Sequence, residues 1–257
     1  MANKKTIQFS LKNLQSSLPK AKLPWNDLIE EIALHFLHAP YKEGTLESGR
    51  KEKLIVNFRG FDCFTFLETV IALTRCALAH DLSLQSFRRE LQFIRYRKGI
   101  VEGYASRLHY FSDWLYDNKR KGIVKNISRQ IGAVPQYKVI NFLTTHRDLY
   151  PALNDENVFQ QIRKIEKIIS RRKLYVLPRA EFSGTEDKIK TGDIIAFASH
   201  TEGLDVAHVG FALWQGKKLH LLHASSKAKG VVVFAKPLLD YLRQNKKFTG
   251  IIVARVK

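Results

Sequence analysis

Residues 190–256 read KTGDIIAFASHTEGLDVAHVGFALWQGKKLHLLHASSKAKGVVVFAKPLLDYLRQNKKFTGIIVARV, and this stretch decides the fold class. Five segments within it, GDIIAFAS, AHVGFALW, KLHLLHAS, GVVVFA and TGIIVARV, are short, rich in β-branched residues and separated by turn residues, which is the pattern of strands. Alternation along AHVGFALW puts His208, Gly210, Ala212 and Trp214 on one face and Val209, Phe211 and Leu213 on the other. In the next segment His223 shares its face with Leu219 and Leu221. Neighbouring antiparallel strands lie ~4.8 Å apart, so His208 and His223 can meet on one sheet face.

Upstream of this stretch the apolar period becomes helical. Trp25 to Phe36 carries Leu28, Ile32 and Phe36 four residues apart, on one side of a helix. Asp62 to Ala79 is apolar almost all round, through Phe64, Phe66, Leu67, Val70, Ile71 and Leu73, and predicts a central buried helix. Further helical patterns run near Ser83 to Phe93, Leu108 to Asn118 and Glu156 to Ser170. Helices first and strands last predict an α+β fold with a mostly antiparallel sheet of about five strands. There is no internal repeat and no linker rich in Pro, Gly or Ser, so 1–257 reads as one domain.

The composition excludes several classes. The chain has 257 residues, 45% of them hydrophobic, with 16 Phe, 9 Tyr and 3 Trp. Rings on that scale serve to bury area and offset chain entropy, so this is a globular protein and not a disordered tail. No apolar run approaches the ~18 residues that span a bilayer, and the N-terminal stretch shows charge without the apolar core of a signal peptide. The expectation is a protein of the cell envelope or periplasm if a leader has been removed, and otherwise a cytoplasmic one. Lys and Arg total 43 against 24 Asp and Glu, a formal charge of +19. The basic residues are scattered in small groups, which favours a general positive field over one dedicated arm. Such a field attracts nucleic acid, anionic membrane or an acidic cell-wall glycopeptide alike. No helix-turn-helix, zinc-finger or RNP-like signature promotes nucleic acid above the rest.

Two cysteines cannot staple a small secreted fold. If Asp62 to His80 is one helix, Cys63 and Cys76 stand about 20 Å apart, beyond the ~7 Å reach of a disulfide. Cys63 lies in FRGFDCFTFLETV, where Gly60 and Asp62 read as turn and N-cap and the helix begins at or just after the cysteine. A thiol in the first turn feels the positive end of the helix dipole and unpaired N–H groups, both of which favour thiolate. The same N–H groups can donate to an oxyanion when a carbonyl is attacked. The ordinary alternative is a small buried hydrophobe, which is the reading for Cys76.

A thiolate nucleophile needs an imidazole to accept and return its proton, and a polar group to orient that ring. Of nine histidines, His35, His38, His80, His146 and His200 sit at helix ends or turns and read as surface or structural groups. His208 and His223 differ because the strand pattern brings them together, and a helix packed on that face would present Cys63 to both. A zinc site of Cys63, His208 and His223 uses competent ligands but lacks the short paired spacing of familiar zinc motifs. In SRLHYFSDW, Arg107, His109 and Asp113 could line a substrate groove, with the Arg107 fork suited to a carboxylate. Equally, Leu108, Tyr110, Phe111, Trp114 and Leu115 could form an ordinary buried face with the polar residues turned to water.

The segments KTGDIIAF, AHVGFALW, LLHASS and GVVV, with Asp62-Cys63 opening the central helix and APYKEGT before it, resemble the NlpC-type cell-wall cysteine peptidases, a bacterial branch of the papain-like fold. That resemblance implies Cys63 as nucleophile, His208 as general base and acid, His223 as the group orienting it, and Tyr41 near the oxyanion or substrate, with Gly44 and Asp62 in the matched segments. Phe64-Thr65 replaces the family's Ser-Gly after the cysteine. Residues 81–180 read as a helical insertion into a core of about 24–80 and 181–257. With that insertion, YKEGTLE, FDCFTFLET and RYRKGIVEGYASRLHYFSDW are similar to a narrower branch of N-acetylmuramoyl-L-alanine amidases acting on muropeptide fragments, anhydro sugars included. The resemblance runs from about Pro40 to Arg255. It implies a cofactor-free and metal-free monomer that cuts the amide between muramic acid and L-Ala. Cutting within the stem, at γ-D-Glu-diaminopimelate, is the nearest rival activity, and a basic anion- or nucleic-acid-binding module without catalysis is the competitor from another class.

Overall fold

The computed structural model describes residues 4–18, 23–47 and 51–257. Its helices are α1 (Lys4–Ser17), α2 (Trp25–His35), α3 (Cys63–Leu78), α4 (Leu84–Arg95), α5 (Phe111–Arg120), α6 (Phe142–Thr145), α7 (Glu156–Ser170) and α8 (Leu238–Gln244). The strands are β1 (Val124–Asn126), β2 (Val134–Gln136), β3 (Leu174–Pro178), β4 (Ile194–Ser199), β5 (Val206–Gln215), β6 (Lys218–Ser225), β7 (Gly230–Val233) and β8 (Phe248–Val256). They form one antiparallel sheet in the order β2-β3-β8-β4-β5-β6-β7, with β1 also paired to β8. The fold is therefore α+β.

The sheet has eight strands where the sequence predicted about five. The five C-terminal strands stand where their alternation placed them. The additional ones, β1, β2 and β3, come from the segment read as a helical insertion, and β1 and β3 both pair with β8. Strands of three to five residues are too short to show a period. β1 and β3 form because β8 offers an unpaired row of N–H and C=O groups that must find partners, and β2 then adds to the outer edge of β3.

The sheet is covered on both faces. On one, Val209, Phe211 and Leu213 of β5 pack with Phe66, Leu67 and Val70 of α3 and with residues of α2, α4 and α5. On the other, Ala212, Leu219 and Leu221 pack with Phe197, Leu238 and Leu242, the last two from α8. β8 divides in the same way, Ile252 and Ala254 facing the α3 layer and Ile251 and Val253 facing α8. At ~1.5–3 kcal/mol per fully buried large side chain, these two layers dominate stability. A smaller cluster of Tyr104, Tyr110, Ile140, Leu143, Leu153, Ile162 and Ile169 holds the 100–110 loops against α6 and α7. No described helix is long and apolar enough to cross a membrane.

Candidate active site

α3 begins at Cys63 because Asp62 caps it. The Asp62 carboxylate accepts hydrogen bonds from the N–H groups of Phe64 (3.0 Å) and Thr65 (2.7 Å), and the Asp62 N–H donates to Thr65 Oγ1 at 3.0 Å. This reciprocal box contributes about 1 kcal/mol to the helix start. The Phe66 N–H enters the helical ladder at the Asp62 carbonyl. Thr65, which replaces a glycine of the resembled motif, thus has a structural task as the second half of the cap.

The segment before the helix is strapped in place. The N–H of His38 donates to the Val231 carbonyl and that of Tyr41 to Lys229, while the Val231 N–H donates to the Ala39 carbonyl. On its other side Phe61 N–H donates to Pro40 and Lys42 N–H to Phe61. Residues 38–42 therefore bridge the start of β7 to the turn before Cys63. Gly60 is needed there, since a Cβ would stand 2.8 Å from the Pro40 carbonyl oxygen. The strap carries Tyr41 to the helix start, where its hydroxyl lies in the field of Cys63 and Asp62. Burial chiefly, and then those two groups and Glu43, push Tyr41 up to about 12. Gly44 follows in an open left-handed turn, φ +68°.

His208 and His223 meet across β5 and β6, with His208 Nε2 2.5 Å from His223 Nδ1 and the rings edge to face. Gly210 makes room, because a Cβ there would stand 2.9 Å from His223 Cβ. The helix does not sit on the histidine face, as the alternation argument assumed. α3 packs on the opposite face, through Phe66 against Phe211. Its N-terminal end meets β5 at the Val209 N–H, one residue past His208, which faces the Cys63 sulfur.

Sequence reasoning missed Tyr241. Its ring lies edge-on to His223 (5.3 Å between centroids), beside His208 (6.2 Å) and against Phe197 and Phe248. Burial chiefly, and then Cys63, raise its hydroxyl above the ordinary phenol range. The segment KPLLDYLRQ held the only available signal, a proline followed by an apolar pair and an aromatic.

Desolvation shifts the thiol and both imidazoles of the site towards their neutral forms. Burial chiefly, and then Asp62, push the Cys63 thiol up to about 12, against the opposing pull of the Val209, Cys63 and Phe64 N–H groups. Burial, and then His223, hold His208 well below the usual imidazole range, and burial lowers His223 to about 4. Both cysteines are free thiols. Cys76 is buried in α3, its Sγ 3.8 Å from Ser86 Oγ. Among the described residues no three His, Cys, Asp or Glu side chains converge as a metal-ligand set.

Arg107 and His109 stand in another polar cluster. Arg107 is buried, donating to Glu47 (2.7 Å) and to the Leu46 carbonyl (3.1 Å), with Glu52 at 3.6 Å. A substrate carboxylate would have to displace Glu47 from this fork. The His109 ring lies against that of Tyr104, its Nε2 2.9 Å from the Tyr104 carbonyl oxygen. Asp113 is buried between Arg97 and Arg172, at 2.7 Å from each.

Solved structures with the same fold exist. The chain is similar to an N-acetylmuramoyl-L-alanine amidase from Bacteroides uniformis, with 37% identity over 91% of this chain and 99% of that one and a TM-score of 0.85. It is also similar to a Bacteroides fragilis protein whose description as a xylanase is provisional, with 39% identity, 87% and 99% coverage and a TM-score of 0.82. A DUF1460 protein from Legionella pneumophila matches at 25% identity, over 98% and 93% of the two chains, with a TM-score of 0.74. No curated protein matches the chain. A family model described as N-acetylmuramoyl-L-alanine amidase-like matches residues 31–251, nearly the whole of this fold, and the chain belongs to that AmiA-like family.

Proposed function

We propose that this chain is a cysteine amidase with an NlpC-type, papain-like core that cleaves the amide between N-acetylmuramic or anhydro-muramic acid and the L-Ala of a stem peptide. One observation carries the reading: a capped helix start holds the Cys63 sulfur at the N–H of Val209, the residue that follows His208, whose ring is hydrogen-bonded to a second histidine. Since His208 Nε2 is engaged by His223, Nδ1 is the nitrogen left to serve the thiol. For Nδ1 to accept a proton, Nε2 must carry one and donate it to His223 Nδ1, so His223 holds the tautomer and stabilises the imidazolium.

Because thiol and imidazole are both neutral in the free protein, proton transfer accompanies attack instead of preceding it. The sulfur attacks the lactyl carbonyl while its proton passes to His208 Nδ1. The oxyanion takes the Cys63 N–H, since Asp62 already engages those of Phe64 and Thr65, and Tyr41 supplies a second donor. Collapse expels the L-Ala amine, which takes the proton from His208. Water, with His208 as base, then hydrolyses the thioester to the lactyl carboxylate and regenerates the thiol. The +19 charge draws in stem peptides rich in carboxylates. A glycosidase would need two carboxyl groups flanking the bond, whereas the Asp62 carboxylate at this helix start is engaged as a cap.

Mass spectrometry of defined muropeptides tests the reading. The wild-type chain is expected to release an intact stem starting at L-Ala, and Cys63→Ala to release none. Sugar that retains L-Ala-D-Glu would identify a γ-D-Glu-diaminopimelate endopeptidase instead, and full activity in Cys63→Ala would end the thiol mechanism.

A further inference from the structure

A second cavity lies outside this site, between α5, the end of α7 and β3. It encloses about 320 Å³ and is lined by Ser112, Leu115, Tyr116, Lys119, Asn126, Lys138, Ile140, Ile169, Arg172, Lys173, Leu174, Tyr175 and Asp205. Its floor is apolar, through Leu115, Ile140 and Ile169, and its rim carries four cations.

Those cations are unequally engaged. Arg172 holds Asp113 and lies over the Tyr116 ring at 3.9 Å, and Lys138 donates to the Ser199 carbonyl. Lys119 and Lys173 make no ion pair among the described residues. The lone lining carboxylate, Asp205, is buried and accepts from the N–H groups of Ser112 (2.6 Å) and Val206 (2.7 Å), so it is satisfied by backbone. Asn126 uses its carbonyl oxygen on the Ser128 N–H, leaving its amide NH₂ for another acceptor. The Ser112 hydroxyl in this wall is turned to the same Asp205 carboxylate.

From this geometry we propose that the cavity is a binding site for a small organic oxyanion, a carboxylate or phosphate on an apolar body. The oxyanion meets Lys119, Lys173 and the Asn126 amide, and the body lies on Leu115, Ile140 and Ile169 beside Tyr116 and Tyr175. The volume stands at the lower end of the range for small-molecule sites. The assignment is independent of the chemistry at Cys63.

Calorimetric titration of the full chain with phenyl phosphate, benzoate and inorganic phosphate tests it. Phenyl phosphate or benzoate is expected to bind at one site per chain, more tightly than inorganic phosphate. Lys119→Ala and Lys173→Ala are each expected to weaken binding about threefold to tenfold, and Cys63→Ala to leave it unchanged. The stronger of the two aromatic anions tells phosphate from carboxylate. Absence of saturable binding, or binding untouched by both lysine variants with their thermal unfolding intact, would overturn the proposal. So would inorganic phosphate binding as tightly as phenyl phosphate, since the apolar floor would then have no part.

Discussion

Two buried polar clusters in this molecule treat charge in opposite ways. Around Arg107, a buried guanidinium and the buried Tyr104 meet the half-buried Glu47 and Glu52 as matched charges and donors, and each finds its counterpart inside the cluster. Around Cys63, a thiol, two imidazoles and two phenols stand together with Asp62 as the neighbouring charge; His223 is buried, the others are half-buried, and desolvation shifts each titratable group towards its neutral form. A matched ion pair resists change, whereas a desolvated titratable group without a counter-charge is poised to exchange a proton. The first cluster fixes loops and the second is suited to chemistry.

Substitutions can break this contrast. Arg107→Ala leaves Glu52 and Glu47 without their cation and is expected to lower stability by about 3–5 kcal/mol, read by chemical denaturation. The protein that remains folded should keep most of its kcat. His223→Ala is expected to behave in reverse, losing about 10²- to 10³-fold in kcat with a small change in unfolding midpoint. His223→Asn should recover part of that loss, because its side chain can again accept from His208 Nε2. Equal effects of Arg107→Ala and His223→Ala on kcat would dissolve the distinction.

Acid sharpens the comparison further. His223 has a folded value of about 4 against an ordinary 6.5, so below pH 6.5 the unfolded chain binds a proton that the folded one excludes. Stability therefore falls as pH drops from 6.5 towards 4, by about 3 kcal/mol from this one group. His208 is shifted in the same direction and adds to the loss. His223→Asn is expected to flatten the acid limb in urea unfolding, and an unchanged limb would mean that the pair is hydrated. The smallest effect is reserved for Tyr241→Phe, which keeps the ring against both histidines and removes only the hydroxyl. A drop in kcat of about threefold to tenfold, with KM unchanged, would place that hydroxyl on the reacting centre, and no change would leave Tyr241 as packing.

Much of this was legible in the sequence where periodicity is local. Glu156–Ser170 and Lys218–Ser225 fall at the residues that the pattern marks, and Cys63 begins its helix because Asp62 and Thr65 stand three residues apart, the spacing of a capping box. What escaped was non-local. Alternation states which residues share a face but not which face receives α3, and the two readings put Cys63 in different places. The partners of Arg107 lie about 60 residues earlier, and Tyr241 belongs to a seven-residue helix too short to show a period. β1 and β3 are recruited by an edge that exists only after β8 has folded, and β2 by the edge of β3.

The strap at residues 38–42 has a further consequence at the margin of the sheet. β7 ends the strand order, and an end strand presents bare N–H and C=O groups on which another chain can add itself. Here the backbone of His38, Ala39 and Tyr41 already occupies the start of that row, and Pro40, which has no N–H to offer, bridges to Gly230. The segment that brings a tyrosine to the thiol therefore also protects the molecule against strand-to-strand aggregation at this margin.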